Sequence, residues 1–435
     1  MRADAKAPTI WRCLRPVLQL EGRTSPSVEP CAPTLSLAIF QRQVPDYRIP
    51  IFERIARETS VDLTIYSTAF AAPVRGATCV RLSERKLSPF LLHPVLFSRT
   101  FRRSHDVLLC EGRLALAASV SLALAQRTLG LPVVWWTSFW RPDGTIGLGG
   151  GLRGPVLRRI LRSCRAIATY SQAAAQVAIA AGLPAERVFI AYNSLDTDLL
   201  QRVEKEYRAS NTSLNETFQR LGINARSIAL FVGRLTKGKR LGTLIEAWAR
   251  VCRGNVGAPL LVIVGEGPER VRLRALVERH GVSDKVLFTG EIRDYISVCP
   301  YFLGARVLVL PGAGGLAINH AMTHGVPVVV AGGDGTERDV VDDGVNGFLV
   351  PESDAEGLAS RLHDVLTMDM ARWREMSEQA RSVVQTKANI NCMVGALLSA
   401  VHLAAGRYPV GHLTASTESL AKGAAMASAD TLGPA

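Results

Sequence analysis

The chain has 435 residues, which is too long for one ordinary hydrophobic core and favours two domains. Its formal net charge of +13 is concentrated in the first half: residues 35–200 contain 20 Arg and Lys against 11 Asp and Glu, whereas residues 201–435 contain 26 against 24. No run of about 18 apolar residues predicts a transmembrane helix, and residues 1–34 lack the apolar core of a signal peptide, so we expect a cytoplasmic protein.

The basic first half indicates an anionic partner, either nucleic acid or a membrane with acidic lipid. The sequence has no basic stripe interleaved with aromatic residues, no zinc finger and no RNP-like segment, so nucleic acid is not predicted. Its eight cysteines are widely spaced without a CxxC pair, which argues against a zinc site and a disulfide framework. We predict neither a metal site nor a cofactor.

The first predicted domain covers residues 35–197. It follows a proline-containing stretch, residues 1–34, that we interpret as a disordered extension. Buried strands such as LSLAIF, VDLTIYST and LPVVWWT alternate with helical segments in this domain. This alternation predicts a parallel sheet with right-handed crossovers.

Residues 198–226 are polar and helical, and predict a linker between the two domains. A second alternation of strands and helices over 227–390 predicts another parallel sheet. One more apolar helix is predicted at 391–406, and the Ala-, Ser-, Thr- and Gly-rich residues 414–435 predict a disordered tail.

The loop VGRLTKGKR follows the first strand of the second domain. It places Gly233 and Arg234 just past the strand and Lys239 five residues after the arginine. Two flexible cations that converge on one point suit a diphosphate. The alternative is a solvated basic loop.

A glycine-rich loop, PGAGGLAINHAM, lies between a buried strand and a helix. Gly314 and Gly315 let the backbone approach a phosphate closely, and the helix that begins near Leu316 offers free N–H groups and a positive dipole end. The pattern predicts an anion site.

The order and spacing of these loops resembles the donor-binding domain of the GT-B glycosyltransferases of the retaining family 4, over roughly residues 35–403. The resemblance implies an α/β fold of two Rossmann-like, doubly wound domains that face a cleft, with residues 391–406 crossing back onto the first domain. It also implies that Arg234 and Lys239 hold the donor's diphosphate and serve in catalysis. In the family, the turns at Gly265 and Gly290 line the base pocket.

The sequence departs from the family motif at two positions. The family has glutamates where this chain has Gly312 and His320. The resemblance is to a bacterial surface-polysaccharide branch that has a histidine at the second position, so we predict that His320 contacts the donor's ribose through a neutral ring nitrogen. Protonation near the ordinary pKa of about 6.5 would remove that acceptor. The alternative is a histidine that packs on a helix.

The acceptor side is predicted in the first domain. Ser138 stands about where the family has a histidine near the sugar. A following helix is predicted to present Arg158, Arg162 and Arg165 on one face, which suits an anionic membrane or a pyrophosphate-linked lipid acceptor. An ordinary solvated face is the alternative.

We therefore predict a hexosyltransferase-type enzyme that moves a sugar from a nucleotide-diphosphate donor to a lipid-linked saccharide or polysaccharide, with the retention that the resemblance implies. It would work in the cytoplasm or peripherally at the inner face of the membrane. Two alternatives stay open: a non-catalytic nucleotide-binding relative, and a nicotinamide-dependent dehydrogenase, which the absence of a Gly-x-Gly-x-x-Gly after the first strand disfavours.

Overall fold

The computed structural model describes residues 34–407 apart from a few short gaps. These gaps are 88–89, 141–145, 211–212, 224–227, 255–259, 313 and 333–334. The predicted disordered segments, 1–34 and 414–435, lie outside the described residues except for Thr34.

Strands and helices alternate along both halves of the chain. The strands of the first domain are β1 (Leu35–Phe40), β2 (Gln43–Val44), β3 (Val61–Ser67), β4 (Ala69–Phe70), β5 (Thr78–Arg81), β6 (Arg85–Leu87), β7 (Phe90–Leu92), β8 (Val107–Glu111), β9 (Val133–Thr137), β10 (Ala166–Thr169) and β11 (Val188–Ile190). Those of the second domain are β12 (Ile228–Val232), β13 (Leu260–Val264), β14 (Val286–Gly290), β15 (Ala305–Leu310), β16 (Val328–Ala331) and β17 (Gly347–Val350). The helices are α1 (Ile49–Arg57), α2 (Arg99–Arg103), α3 (Ala117–Leu129), α4 (Arg153–Ser163), α5 (Gln172–Ala180), α6 (Thr197–Ala209), α7 (Leu214–Arg220), α8 (Leu241–Gly254), α9 (Arg270–Arg279), α10 (Tyr295–Leu303), α11 (Leu316–Thr323), α12 (Thr336–Val340), α13 (Ala355–Thr367), α14 (Met370–Thr386) and α15 (Ile390–Ala404).

Two parallel sheets form the framework. The first has seven strands in the order β11-β10-β9-β8-β1-β3-β5, and the second has six in the order β14-β13-β12-β15-β16-β17. In each sheet the chain first proceeds to one side of the starting strand and then returns to its other side. The α/β class with two doubly wound sheets, predicted from sequence, is confirmed. A short antiparallel hairpin, β6–β7, was not predicted.

The central strands are continuous apolar runs because helices cover both faces of each sheet. In β15, for example, Val307, Leu308, Val309 and Leu310 are all fully buried. The sequence of these strands is apolar at successive positions, so both faces of each strand are apolar. A half-exposed antiparallel strand would instead alternate apolar and polar residues.

Helix α15 follows the second domain in sequence but packs on the first. Its buried residues Ile390, Met393 and Leu397 join the core beneath β10, β11 and α1. This is where the family resemblance places a crossing helix. Across the described residues, none of the helices combines the length and the apolar character that crossing a bilayer needs.

The predicted linker is two capped helices that pack on the second domain. Asp196 caps α6 by accepting from the Leu199 N–H at 3.2 Å, and Ser213 and Glu216 form a reciprocal capping box at the start of α7. Helix α6 packs against α10 and α11. The polar residues that suggested a linker therefore belong to the outer face of this segment, and its other face packs on the second domain.

A buried carboxylate holds α6 in place. Glu204 accepts from His324 Nδ1 at 2.8 Å and from Arg381 at 3.0 Å. Burial raises the pKa of Glu204, but the hydrogen bonds from His324 and Arg381, with their charges, outweigh it and lower the pKa from 4.5 to about 2. Because the folded pKa lies below the unfolded one, this stabilisation is fully present above about pH 4.5 and is lost as the pH falls towards 2.

We expect Glu204→Ala to lower the free energy of unfolding by about 3 kcal/mol, because it leaves the Arg381 guanidinium without its carboxylate partner. Arg208→Ala removes an exposed i,i+4 partner of the same carboxylate and should cost less than about 1 kcal/mol. Denaturant unfolding at neutral pH compares the two variants. If both variants lost the same unfolding free energy, this would contradict a stabilising role for the buried contacts of Glu204 with His324 and Arg381.

Candidate functional site

The loop that bears the two cations and the glycine-rich loop meet at one edge of the second sheet. Arg234 follows β12, and Gly312 follows β15, the strand beside it. From β12 the chain continues to β13 and β14 on one side, whereas β15 leads to β16 and β17 on the other. Ligands of open α/β sheets bind at such a switch point, outside the carboxyl ends of the strands.

The loops at this edge contact each other backbone to backbone. A Cβ atom at Gly265, where φ is +149°, would lie 1.9 Å from the Gly233 carbonyl oxygen. A Cβ atom at Gly312 would lie 2.4 Å from the Gly238 carbonyl oxygen. These contacts require glycine, and they bring the loops after β12, β13 and β15 into one continuous surface.

Arg234 and Lys239 lie on this surface. Arg234 is exposed and forms no ion pair within the described part of the chain. The Lys239 ammonium donates to the Gly314 carbonyl at 3.4 Å, so it reaches from its own loop onto the glycine-rich loop. The neighbouring cation, Arg240, is instead paired with Glu352. The geometry thus brings Lys239 to the glycine loop and places Arg234 at an exposed position of the same cation loop, and their binding of a diphosphate stays a prediction.

The glycine-rich loop is held from below by a buried carboxylate. Glu337, 1% exposed, accepts from the Gly314 N–H at 3.0 Å and from the Gly335 N–H at 3.2 Å. Gly315, with φ +67°, then precedes α11, which begins at Leu316. The Gly314 N–H is thus occupied by Glu337 and does not point at a ligand, and these contacts give Glu337 a structural role in holding the loop.

Gly265 and Gly290 lie at the ends of adjacent strands. The Gly265 N–H donates to the Gly290 carbonyl at 2.8 Å, and Gly290 has φ +83°. Glu266 beside them is paired with Arg270 at the start of α9. The two glycines therefore border the same edge as the cation loop, which is what the proposed base pocket requires.

His320 is buried in α11. Its ring stacks on Phe302 with centroids 3.9 Å apart, meets Tyr295 edge-on, and lies beside His324. Nε2 has no hydrogen-bond partner among the described residues. Burial, and then the charge of His324, lower the pKa of His320 well below its ordinary value, so the titration near pH 6.5 expected from sequence does not apply. The ribose contact stays a prediction; the stack with Phe302 supports the packing alternative.

In the first domain, Ser138 lies just after β9. Its side chain is half-buried, and its hydroxyl accepts from the Trp140 N–H at 3.3 Å. Nothing in these contacts marks it as a reactive group.

Sequence reasoning did not identify a charged cluster at the equivalent switch point of the first sheet, between β1 and β8. Glu111 accepts from the Arg42 N–H at 2.9 Å, and the Arg42 guanidinium pairs with Glu84 at 2.7 Å. His93, fully buried, lies 3.5 Å from the same Glu84 carboxylate. The signal that would have found it is the placement of Arg42 just beyond the apolar strand β1 and of Glu111 as the last residue of the apolar strand β8.

The basic helix of the first domain is α4, and it ends before one of its predicted arginines. Arg165 follows the last helical residue, Ser163, so it does not share the helical face. Arg158, Arg159 and Arg162 line an open groove of about 570 Å³. Arg162 also donates to the Ala181 carbonyl at 2.9 Å.

The geometry defines a two-domain α/β protein in which a loop with two cations and a glycine-rich loop meet at the switch point of the second sheet. Residues 215–383 match the model of the family described as glycosyl transferases group 1. The second domain is therefore a member of that family, on a chain with the GT-B fold. This confirms the family resemblance found in the sequence.

Comparisons with individual proteins agree with this assignment. The chain is 31% identical over 215 residues to the alpha-D-kanosaminyltransferase of Streptomyces kanamyceticus, covering 48% of this chain and 53% of that protein. It is 32% identical over 182 residues to the putative colanic acid biosynthesis glycosyltransferase WcaL of Salmonella typhimurium, covering 39% and 44%. The chain thus spans about half the length of the curated relatives it matches.

The fold is similar over nearly the full described length. A crystal structure of Anabaena HepE in complex with UDP has a TM-score of 0.66 at 20% identity, with 84% of this chain and 98% of that chain covered. WaaG, a glycosyltransferase involved in lipopolysaccharide biosynthesis, has a TM-score of 0.59 at 18% identity, with 85% and 100% covered.

We expect Gly312→Ala to weaken binding of a nucleotide-sugar donor at least about tenfold, because the added methyl group collides with the Gly238 carbonyl and displaces the turn that carries Lys239. Gly238→Ala is the matched control, since a Cβ atom there meets nothing within 4 Å. Donor titration measures both. Equal affinities in the two variants would contradict the tight contact between these loops.

Proposed function

We propose that the protein transfers a hexose from a nucleoside diphosphate donor to a saccharide acceptor, with retention at the anomeric carbon. The observation that carries this proposal is the reach of Lys239, on the loop that also bears Arg234, onto the glycine loop of a domain that matches the group 1 glycosyl transferases. Retention follows the resemblance to family 4.

The two cations would act on the leaving group. When the bond between the anomeric carbon and the diphosphate oxygen breaks, negative charge develops on the terminal phosphate. Arg234 and Lys239 can stabilise this charge more strongly than they stabilise the intact donor, and that difference lowers the barrier. The exposed guanidinium and the half-buried ammonium approach from the same loop.

The donor class is supported by relatives of the same fold. A structure of HepE contains UDP-glucose, so UDP-sugars are the first donors to test. A thermal-shift screen against UDP-, GDP- and ADP-sugars discriminates among bases. A ligand at 100 times its dissociation constant stabilises the protein by about 2.7 kcal/mol, a shift that such a screen detects readily.

The acceptor is proposed to be a lipid-linked saccharide or a polysaccharide intermediate, bound by the first domain at the inner face of the membrane. Relatives include proteins named for colanic acid and lipopolysaccharide core biosynthesis. The groove formed by Arg158, Arg159 and Arg162 is chemically suited to the phosphates of a lipid-linked acceptor.

A non-catalytic nucleotide-binding protein is the second candidate. The observation that favours it is Gly312, which replaces a family glutamate and leaves no room for a side chain beside Gly238. Donor hydrolysis or transfer by the purified protein separates the two candidates. The family match disfavours the dehydrogenase alternative, and the absence of NADH binding in a fluorescence titration would agree.

We expect Arg234→Ala and Lys239→Ala each to lower kcat/KM by about ten- to a hundredfold, because each removes a charge-assisted contact of about 1.5–3 kcal/mol. Lys237→Ala is the control, since Lys237 is an exposed cation in the same turn. Unfolding free energies of all three should stay close to that of the wild type. If Lys237→Ala lowered kcat/KM as much as the other two substitutions, the effect would reflect only the positive charge of the loop and not specific contacts of Arg234 and Lys239.

For His320, we expect His320→Phe to keep the aromatic stack on Phe302 and yet to raise the donor's dissociation constant about tenfold, because phenylalanine cannot accept from a ribose hydroxyl. The unpartnered Nε2 motivates this expectation. His320→Glu, which restores the family residue, should bind donor. Wild-type affinity should stay constant between pH 7.5 and about 6, since burial keeps the ring neutral there. Unchanged affinity in His320→Phe would leave the ring with a packing role only.

A further inference from the structure

The chain passes from the first domain to the second between β11 and α6, and it returns between α14 and α15. These two crossings, residues 191–196 and 387–389, both contact one side chain of α11, the helix that follows the glycine-rich loop. We propose that this residue, Asn319, is a positioning residue for the transfer reaction. It fastens the donor-side helix to both crossings, so that the glycine loop and the angle between the domains move together.

Asn319 is buried, and both ends of its carboxamide are used. Its Oδ1 accepts from the Leu195 N–H at 3.0 Å, and its Nδ2 donates to the Ala388 carbonyl. These partners fix the orientation of the amide, because a backbone N–H only donates and a carbonyl only accepts. The position therefore requires a side chain with both an acceptor and a donor, and neither aspartate nor leucine can replace both bonds.

The two crossings also contact each other beside Asn319. The Ser194 hydroxyl oxygen lies 3.4 Å from Asn319 Oδ1 and 3.5 Å from the Ala388 carbonyl oxygen. The Ile390 N–H donates to the Thr197 hydroxyl at 3.3 Å. The crossings thus run side by side as one hinge, and Asn319 is inserted where they meet.

Helix α11 joins this hinge to the glycine loop. It begins at Leu316, directly after Gly315, and Asn319 is its fourth residue. At 1.5 Å per residue, the distance along the helix axis from Gly315 to Asn319 is about 6 Å. A ligand that tilts the start of α11 therefore displaces Asn319 and, through its two hydrogen bonds, both crossings. The role rests on the proposed function, because the ligand that would reach this loop is the donor's diphosphate.

The packing around Asn319 leaves room for such a movement. A cavity of about 20 Å³ is bordered by Asn319, Gly315 and Thr336 and is otherwise lined mostly by apolar side chains. Asn193 also lines it, and its buried Oδ1 has no hydrogen-bond partner among the described residues. Because protein interiors are otherwise close-packed, unfilled space at this point lets α11 tilt without a collision.

A second contact between the domains reports on their angle. The Gln172 N–H, at the start of α5, donates to the Asp339 carboxylate of the second domain at 2.6 Å. The first N–H groups of a helix have no partner inside the helix, so protection of this N–H from hydrogen exchange depends on Asp339. Gln172 belongs to α5 and Asp339 to α12, so this contact lies outside the hinge.

The test is hydrogen–deuterium exchange of the full chain, resolved at Leu195 and Gln172, with and without UDP as the probe. Asn319→Leu should speed exchange of the Leu195 N–H at least about tenfold, because that N–H loses its acceptor. It should also speed exchange at Gln172 at least about threefold, since the domains no longer hold one angle. Asn319→Ser, whose short side chain cannot span both crossings, should act in the same direction and keeps the test decisive if the leucine variant misfolds.

Thr323→Val is the matched control. Thr323 is buried in the same helix, and its hydroxyl donates to the Asn319 carbonyl at 2.7 Å, so the substitution removes a buried hydrogen bond within α11 and leaves the carboxamide in place. Exchange at Gln172 should stay within about twofold of the wild type in this variant. If the two Asn319 variants speed exchange at Leu195 but leave Gln172 at the wild-type rate, Asn319 only satisfies the local backbone and the proposal is overturned.

The nucleotide arm separates this role from the proposed function. UDP should slow exchange at Gln172 at least about threefold in the wild type and leave it unchanged in Asn319→Leu. Calorimetry should give the two proteins dissociation constants for UDP within about threefold, because a threefold shift in the domain equilibrium changes affinity by no more than that factor. Equal slowing in both proteins would overturn the coupling. Failure of UDP to bind the wild type would count against the proposed UDP-sugar donor, whereas exchange at Gln172 in the unliganded proteins would still decide the role of Asn319.

Discussion

The donor-side loops depend on one constraint, which is the direct contact of their backbones. Gly265 lies against the Gly233 carbonyl and Gly312 against the Gly238 carbonyl, at separations that exclude a Cβ atom. Because no side chains intervene, the loops that follow three neighbouring strands form a single surface. Lys239, which belongs to the first loop, consequently reaches the carbonyl of Gly314 in the third. Lys239 therefore acquires its position from this contact.

The same surface is coupled to the first domain through α12. Glu337 in this helix holds the Gly314 N–H from below, and Asp339, two residues on, accepts from the Gln172 N–H at 2.6 Å. Gln172 is the first residue of α5, where free N–H groups and the helix dipole favour a carboxylate. One short helix therefore contacts both the donor loop and the opposing domain. A relative movement of the domains would act on the glycine loop through it.

The fold followed from the sequence because fully buried parallel strands have a distinctive pattern. Runs such as Ala305–Leu310 are apolar on both faces, and glycines or cations follow where ligands bind. Features set by tertiary contacts did not follow. The linker helix α6 has a polar sequence, yet Glu204 is buried against His324, a residue 120 positions away. Arg165 has the spacing of a helical face, but the backbone becomes extended at Cys164 and ends the helix before it.

At the candidate site, sequence reasoning predicted on which helix or loop a residue lies more reliably than it predicted what surrounds its side chain. Alignment places His320 in α11, but only packing against Phe302 shows that its ring is buried and stays neutral at physiological pH. The difference between sequence and structure is larger at Gly312. A missing carboxylate can be read from sequence as a simple loss, whereas the structure shows that the Gly238 carbonyl occupies the space next to it. The departure from the family motif is built into the backbone, because a side chain at position 312 would require the Gly238 turn to move.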